Sequence, residues 1–199
     1  MNKKLLIGIL LAVVSLVLMG ISLATPWYHQ SVELTLLGTT TESDTKYYLN
    51  HVEYEIDGET ESTDYDDLED NKVVDTFQTT QTMAILGVVG TILALLGVAL
   101  VAMKKLGKKI AIILVLVGLI LAIIAPLYLM ATLPGAFKEA GEIAGEKGPH
   151  KSFSGSSKES GEEGEYKNSW GPATAWYLAL VAALLLIIPL ILLLIYKPE

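Results

Sequence analysis

Four long apolar runs, each free of charged residues, divide this sequence. They cover residues 5–28, 82–103, 110–133 and 173–196. Each run has at least about 20 residues, the length of α-helix that crosses roughly 30 Å of hydrocarbon. The pattern therefore predicts a membrane all-α four-helix bundle. Its first transmembrane helix is predicted over residues 1–28, and the other three helices match the later runs.

Charge is distributed unevenly over the segments between the runs. These are a first loop (29–81), a short turn (104–109), a second loop (134–172) and a tail (197–199). The first loop holds 14 acidic residues and two lysines, whereas the turn holds four lysines and no acid. Lysines beside a span resist translocation. We therefore expect the turn and both termini in the cytoplasm and both loops outside the cell membrane. Such an acidic exterior disfavours nucleic acid as a partner.

The start of the chain allows a second interpretation. Two lysines followed by an apolar run and by Ser22, Leu23 and Ala24 also fit a secretory signal with a cleavage site. The apolar run is longer than the roughly 7–15 residues usual for such a signal, so its length favours a retained helix. Either alternative leaves the first loop outside.

Small residues recur along the second and third spans, namely Gly87, Gly90, Ala94 and Gly97 in one and Gly118 and Ala122 in the other. Small side chains let helix backbones approach closely in a membrane. They predict close packing within the bundle, with a dimerisation face as the alternative. Pro126 and Pro189 are predicted to kink the third and fourth helices, because proline removes a backbone donor.

The first loop has the pattern of a small extracellular antiparallel β-sheet. Residues 31–38 have strand composition, and residues 39–45 are predicted to form a polar turn. The pair Asp57-Gly58 is a strong hairpin signal, and residues 59–65 are expected to form the returning strand. We therefore expect the sheet to be built mainly from this loop.

Alternation of apolar and acidic residues predicts which face of that sheet is inside. Tyr48, Val52, Tyr54 and Ile56 fall on one parity, and acids fall on the other. Period-two alternation is typical of a half-buried strand, so these four side chains are expected on the inner face. Residues 65–77 suit a short helix that leads into the second span.

The second loop is predicted to be partly disordered. It is rich in Gly, Ser, Glu and Lys, and we expect residues around 147–166 to be mobile, because such a composition buries little apolar surface. Order is expected to return at Trp170, and Pro172 suits the start of a helix.

Two groups of residues are candidates for binding or anchoring. The aromatic residues near the span ends, which suit the membrane interface, are Trp27, Tyr28, Trp170, Trp176 and Tyr177. The carboxylates that could attract Ca²⁺ are Asp64, Asp66, Asp67, Glu69 and Asp70. The second group lacks the glycine and the ligand spacing of a calcium loop, which favours a solvated acidic face.

Composition argues against several classes of function. The chain has no cysteine and no arginine, and no apolar run holds Asp, Glu, Lys or His. Transporters and pumps keep ionisable groups at membrane depth. We find no pairing of a nucleophile with a base, no phosphate loop and no metal-ligand motif, so we expect no enzyme activity and no cofactor.

Several short motifs resemble the claudin and peripheral myelin protein superfamily. Residues 25–27 (Thr-Pro-Trp) are similar to the proline–tryptophan entry into the first loop of those proteins, and residues 79–83 are similar to their stretch before the second helix. Residues 170–172 (Trp-Gly-Pro) resemble the opening of their fourth helix. The resemblance implies the four-span fold and a role in adhesion or as an accessory subunit.

The chain departs from claudins in the first loop. It lacks their cysteine pair, and Trp27 is the only tryptophan there. The tight-junction barrier function therefore does not carry over, and the sequence resembles a microbial relative without the loop cysteines.

Two functions are compatible with the sequence. The favoured one is a cell-surface interaction protein that sits in the lipid bilayer and contacts itself or another membrane protein through its extracellular sheet. The alternative is a passive permeation or small-solute binding bundle. That alternative needs polar residues facing one another in the spans, where the only candidates are Ser15, Ser22, Thr91, Thr132 and Thr174.

Overall fold

The computed structural model of the protein describes residues 3–69, 71–141, 148–161 and 164–196. The chain forms two compact units. The helical unit comprises Met1–Leu23, Gln81–Leu127 and Tyr177–Glu199. The sheet unit comprises Ala24–Thr80 and Tyr128–Trp176.

Four helices are long and apolar enough to cross a membrane, as predicted for a multi-pass membrane protein. They are α1 (Lys3–Ser22), α2 (Lys72–Ala102), α3 (Lys108–Ala140) and a fourth span divided into α4 (Thr174–Leu185) and α5 (Ile187–Ile195). The described turn between α2 and α3 is short, which agrees with the spacing of the apolar runs.

Helix α2 begins at Lys72 rather than at residue 82. The Asn71 side-chain oxygen accepts hydrogen bonds from the backbone N–H groups of Val73 and Val74, at 2.9 and 3.0 Å. This is an N-cap, which satisfies donors that have no partner in the first turn of a helix. The predicted short helix over 65–77 is therefore found from residue 72 onward, where it is the start of α2, and a 3₁₀ turn, Tyr65–Asp67, lies before it.

The two prolines of the spans behave differently. Helix α3 runs through Pro126 without interruption. The fourth span changes at Leu186, whose N–H bonds to the Ala183 carbonyl at 3.1 Å in a tighter 3₁₀ pattern. Pro189 cannot donate to the carbonyl of Leu185, four residues earlier, so the regular ladder breaks there as predicted.

Small residues bring α2 and α3 together in the helical unit. A Cβ atom added at Gly90 would lie 2.9 Å from the carbonyl oxygen of Gly118 and 2.8 Å from the Leu121 Cβ. A Cβ atom at Gly97 would lie 3.3 Å from the Ala111 carbonyl oxygen. Side chains larger than hydrogen do not fit at these positions without movement, so the glycines allow the close contact between backbones.

The sheet unit contains a six-stranded antiparallel sheet, in the order β4-β3-β2-β1-β6-β5. Its strands are β1 (Tyr28–Leu36), β2 (Thr39–Tyr47), β3 (His51–Ile56), β4 (Glu59–Asp64), β5 (Gly155–Gly161) and β6 (Gly164–Pro172). The first loop supplies four strands and the second loop supplies two. The Asp57-Gly58 hairpin and the returning strand after it are confirmed.

Residues 39–45, predicted as a polar turn, belong to strand β2 instead. The turn consists only of Leu37 and Gly38, both with positive φ (50° and 83°), and Leu36 pairs directly with Thr39. Threonine is β-branched and fits an extended strand even where it is exposed. Polarity alone therefore gave the wrong structure for this segment.

The expectation of a mobile second loop is wrong for residues 155–161 and 164–166, which lie in β5 and β6. Strand β6 pairs with β1 along its whole length, from Tyr28 opposite Pro172 to Leu36 opposite Gly164. Backbone pairing therefore orders a segment with little apolar surface of its own. Residues 147, 162 and 163 of the expected mobile segment lie outside the described residues.

Candidate interaction surface on the sheet

The two sides of the sheet differ completely in charge on its four inner strands. Directly paired residues of antiparallel strands point to the same side. On β3, β2, β1 and β6, which are described throughout, every charged residue shares one side. These residues are Glu33, Glu42, Asp44, Lys46, Glu53, Glu55, Glu165 and Lys167. We call this side the charged face and the opposite side, which carries Tyr28, the uncharged face.

Ion pairs cross the charged face between the two loops. The Lys167 ammonium lies 2.9 Å from Glu33 and 3.1 Å from Glu165, and Lys158 lies 2.8 Å from Glu165. Hydrogen bonds from Lys158 and Lys167 lower the pKa of Glu165, and the bond to Glu33 followed by that to Glu165 raises the pKa of Lys167. These pairs are exposed, so they align strands β1, β6 and β5 more than they stabilise the fold.

One end of the uncharged face is covered by an aromatic cluster. The ring of Tyr28 lies 5.9 Å from that of Phe137 in α3 and 5.5 Å from that of Phe153. Tyr47 stacks on Phe77 of α2 at 5.3 Å. Tyr28 is fully buried, and this burial, followed by the neighbouring Tyr47, raises the pKa of its hydroxyl. The cluster is the core of the sheet unit.

The aromatic residues predicted at the membrane interface occupy different environments. Trp27 is fully buried. Its backbone N–H donates to the Tyr47 carbonyl at 2.8 Å, and its backbone carbonyl accepts a hydrogen bond from the Ala173 N–H. Trp170 is buried, and its Nε1–H donates to the Ser152 carbonyl at 3.0 Å.

The remaining two lie near the start of α4. The ring of Trp176 lies 5.6 Å from that of Phe153, within the sheet unit. Tyr177, in the helical unit, is half exposed. Trp176 therefore belongs to the aromatic cluster of the sheet unit, and Trp27, Tyr28 and Trp170 are buried in the same unit.

The predicted inner face of β3 is buried at one end only. Val52, opposite Tyr47, is 1% exposed, whereas Tyr54 is 37% and Ile56 is 53% exposed. Tyr48 lies outside the strands, stacks on His51 and donates from its hydroxyl to Glu53 at 3.0 Å. The prediction that all four side chains are inside is therefore wrong for Tyr48, Tyr54 and Ile56, because the cluster covers the face only near Tyr47.

Beyond the cluster the uncharged face is exposed. It carries apolar residues on β1 and β3, and Thr39, Thr41 and Ser43 of β2 lie between them. Its exposed large apolar residues, with the turn residue between β1 and β2, are Leu34, Leu36, Leu37, Tyr54 and Ile56. We call these the exposed patch. Leu34 pairs with Tyr166, and both line a shallow depression with Leu36 and Glu159. Sequence alternation identified this face, but it did not indicate that half of it is uncovered.

The acidic candidates for Ca²⁺ lie along one short segment. Asp64 ends β4, and Asp66 and Asp67 lie in the 3₁₀ turn, where Asp66 accepts a hydrogen bond from Gln78 at 3.4 Å. Glu69 follows that turn, and Asp70 lies outside the described residues. Among the residues that the structure describes, no group of three or more metal-ligating side chains is placed to hold an ion.

No protein-family model matches this chain, and neither does any curated protein.

Proposed function

We propose that this chain is a claudin-like membrane protein of the cell surface that acts by contact, and not by catalysis. Its extracellular sheet binds another membrane protein or a second copy of the chain. The observation that carries the proposal is the exposed patch on the uncharged face. Exposed large apolar side chains that are grouped on one side of a folded sheet are a mark of an interaction site.

The packing of polar residues supports contact over permeation. The Ser15 hydroxyl donates to the Ala182 carbonyl at 2.6 Å, and the Ser22 hydroxyl donates to the Met19 carbonyl at 2.7 Å. Thr91 and Thr132 donate in the same way to carbonyls within their own helices. These hydroxyls serve the backbone, which leaves them poorly suited to line a path for a polar solute.

The orientation is tested with single cysteines in this thiol-free chain. Ser156→Cys should react with a membrane-impermeant maleimide on intact cells, and Gly107→Cys should react only after permeabilisation. Labelling of Gly107→Cys from outside would contradict an extracellular sheet.

Contact and permeation are tested with the full-length protein. A membrane-impermeant cross-linker on intact cells should give a discrete complex of higher mass. Vesicles that contain the purified protein should release a small neutral solute and Na⁺ no faster than protein-free vesicles. A protein that remains uncross-linked on cells and speeds release would favour the permeation alternative instead.

A further inference from the structure

Leu37, at the tip of the β1–β2 hairpin, is an unfavourable residue for the stability of its turn. The structure has two hairpin turns of the same geometry, Leu37-Gly38 with φ of 50° and 83° and Asp57-Gly58 with φ of 50° and 86°. Asn and Asp suit the first position because they tolerate positive φ, whereas a leucine there is strained. Leu37 is also 96% exposed. Strain combined with full exposure points to a function for this side chain beyond the fold.

Leu37 lies at the tip of the β1–β2 hairpin, next to the exposed residues of β1. It follows Leu36 directly, and Leu34 lies on the same side of β1, opposite Tyr166 of β6. Ile56 and Val32 pair with Ser43 from its two sides, so β3 extends the same uncharged surface. The exposed patch therefore extends from the hairpin tip over β1 to β3, with Thr41 and Ser43 of β2 between its apolar residues.

The two edge strands, unlike the four inner strands, place acidic residues on the uncharged face. Edge strand β4 contributes Glu59 and Glu61 to this side, and edge strand β5 contributes Glu159. The six strands, all described, carry no lysine on this side. A second copy docked through the same face would bring carboxylates against carboxylates, and anionic lipid headgroups would be repelled as well. Basic side chains on a partner would be attracted.

We infer that the exposed patch docks into an apolar hollow on a partner protein, bordered by lysine or arginine side chains that face Glu59, Glu61 and Glu159. Leu37 enters the centre of that hollow, and the acidic edges set the orientation. This inference rests on the proposed function and specifies the face and the chemistry of the contact. Apolar residues at the centre with charges at the rim are the usual anatomy of such an interface.

The face is tested by photo-cross-linking in the native membrane. A photoreactive phenylalanine replaces Leu36 in one full-length variant and Thr35, its neighbour on the charged face, in the other. We expect one protein species cross-linked from position 36 and none from position 35. Sequencing of the linked peptide identifies the partner, which is then purified for binding measurements.

The chemistry is tested by affinity and by stability together. Leu37→Asn should weaken binding of the purified partner at least about tenfold, the loss of roughly 1.4 kcal/mol. It should also leave the melting temperature unchanged or raise it, because Asn-Gly suits the turn. Reversal of Glu59 and Glu61 to lysine, and a change from 50 to 500 mM NaCl, should each weaken binding.

The outcomes separate the inference from the proposed function. Cross-links only from position 35, or from position 36 to a second copy, overturn the inference and leave a contact function in place. Links to lipid alone, or none from either position, overturn both. If a partner is linked from position 36 and yet binds with an affinity that changes neither with salt nor with Leu37→Asn, that result also overturns the inference.

Discussion

The rings of Tyr47 and Phe77 stack with their centroids 5.3 Å apart and an angle of 5° between the planes. Tyr47 ends strand β2, and Phe77 lies in the second turn of α2. The pair joins the sheet to the helix within the sheet unit. It also explains why α2 starts well before the apolar run, since its first turns have a buried face of their own.

Phe77→Ala should destabilise the sheet unit by about 3–5 kcal/mol, because it leaves a cavity beside the rings of Tyr47 and Tyr65. Thermal unfolding in mild detergent measures the change. Tyr54→Ala is the matched control: Tyr54 is an exposed aromatic residue of the same sheet, and its replacement should cost far less. Equal losses for both variants would contradict the placement of the core.

Val52→Asp and Ile56→Asp test where the buried part of β3 ends, because both side chains lie on the same face of that strand. Val52→Asp should cost a few kcal/mol, because it buries a charge without a partner. Ile56→Asp should shift the melting temperature little, because the position is half exposed. The reverse order would mean that the register of β3 is wrong.

Gly90→Ala and Gly20→Ala test the contact between α2 and α3. Nothing lies within 4 Å of a Cβ atom at Gly20, whereas one at Gly90 meets the Gly118 carbonyl. We expect Gly90→Ala to destabilise the helical unit by about 1–3 kcal/mol through overpacking. Gly20→Ala should be neutral or stabilising, because alanine favours helix. A neutral Gly90→Ala would exclude the close approach.

The ion pairs on the charged face predict a pH dependence. The pKa of Glu165 lies below its ordinary 4.5, so its contribution is present above pH 4.5 and is lost as the pH falls through the folded pKa. The pKa of Lys167 lies above 10.5, so its contribution is present below pH 10.5 and is lost as the pH rises through the folded pKa. Lys167→Gln should reduce the loss of melting temperature at both the acidic and the basic end of the pH range. The exposed Lys151→Gln should follow the parent chain, and an identical profile for Lys167→Gln would count against the pairs.

Divalent cations should act on the acidic segment only through screening. Millimolar Ca²⁺ and Mg²⁺ should change the melting temperature alike, and NaCl of matched ionic strength should reproduce the effect. The reason is that Asp64, Asp66, Asp67 and Glu69 do not converge on a site. A rise of several degrees with Ca²⁺ alone, abolished by Asp66→Asn with Asp67→Asn, would show a specific site.

The sequence by itself determined the four spans and the Asp57-Gly58 hairpin. Both depend on local properties: about 20 apolar residues in a row suffice to cross hydrocarbon, and a two-residue turn depends on its own backbone preferences. It also separated the two faces of β3, since side chains alternate along any strand.

Only the tertiary structure decided which segments pair and which apolar residues are covered. Residues 39–45 and 155–161 are strands because neighbouring strands satisfy their backbone groups, and their polar side chains carry no sign of this. Val52 is buried and Ile56 is exposed, although both share one face, because Phe77 and Phe137 reach that face from distant helices. Coverage by residues far apart in the chain is a property of the assembled fold, and periodicity along one strand does not contain it.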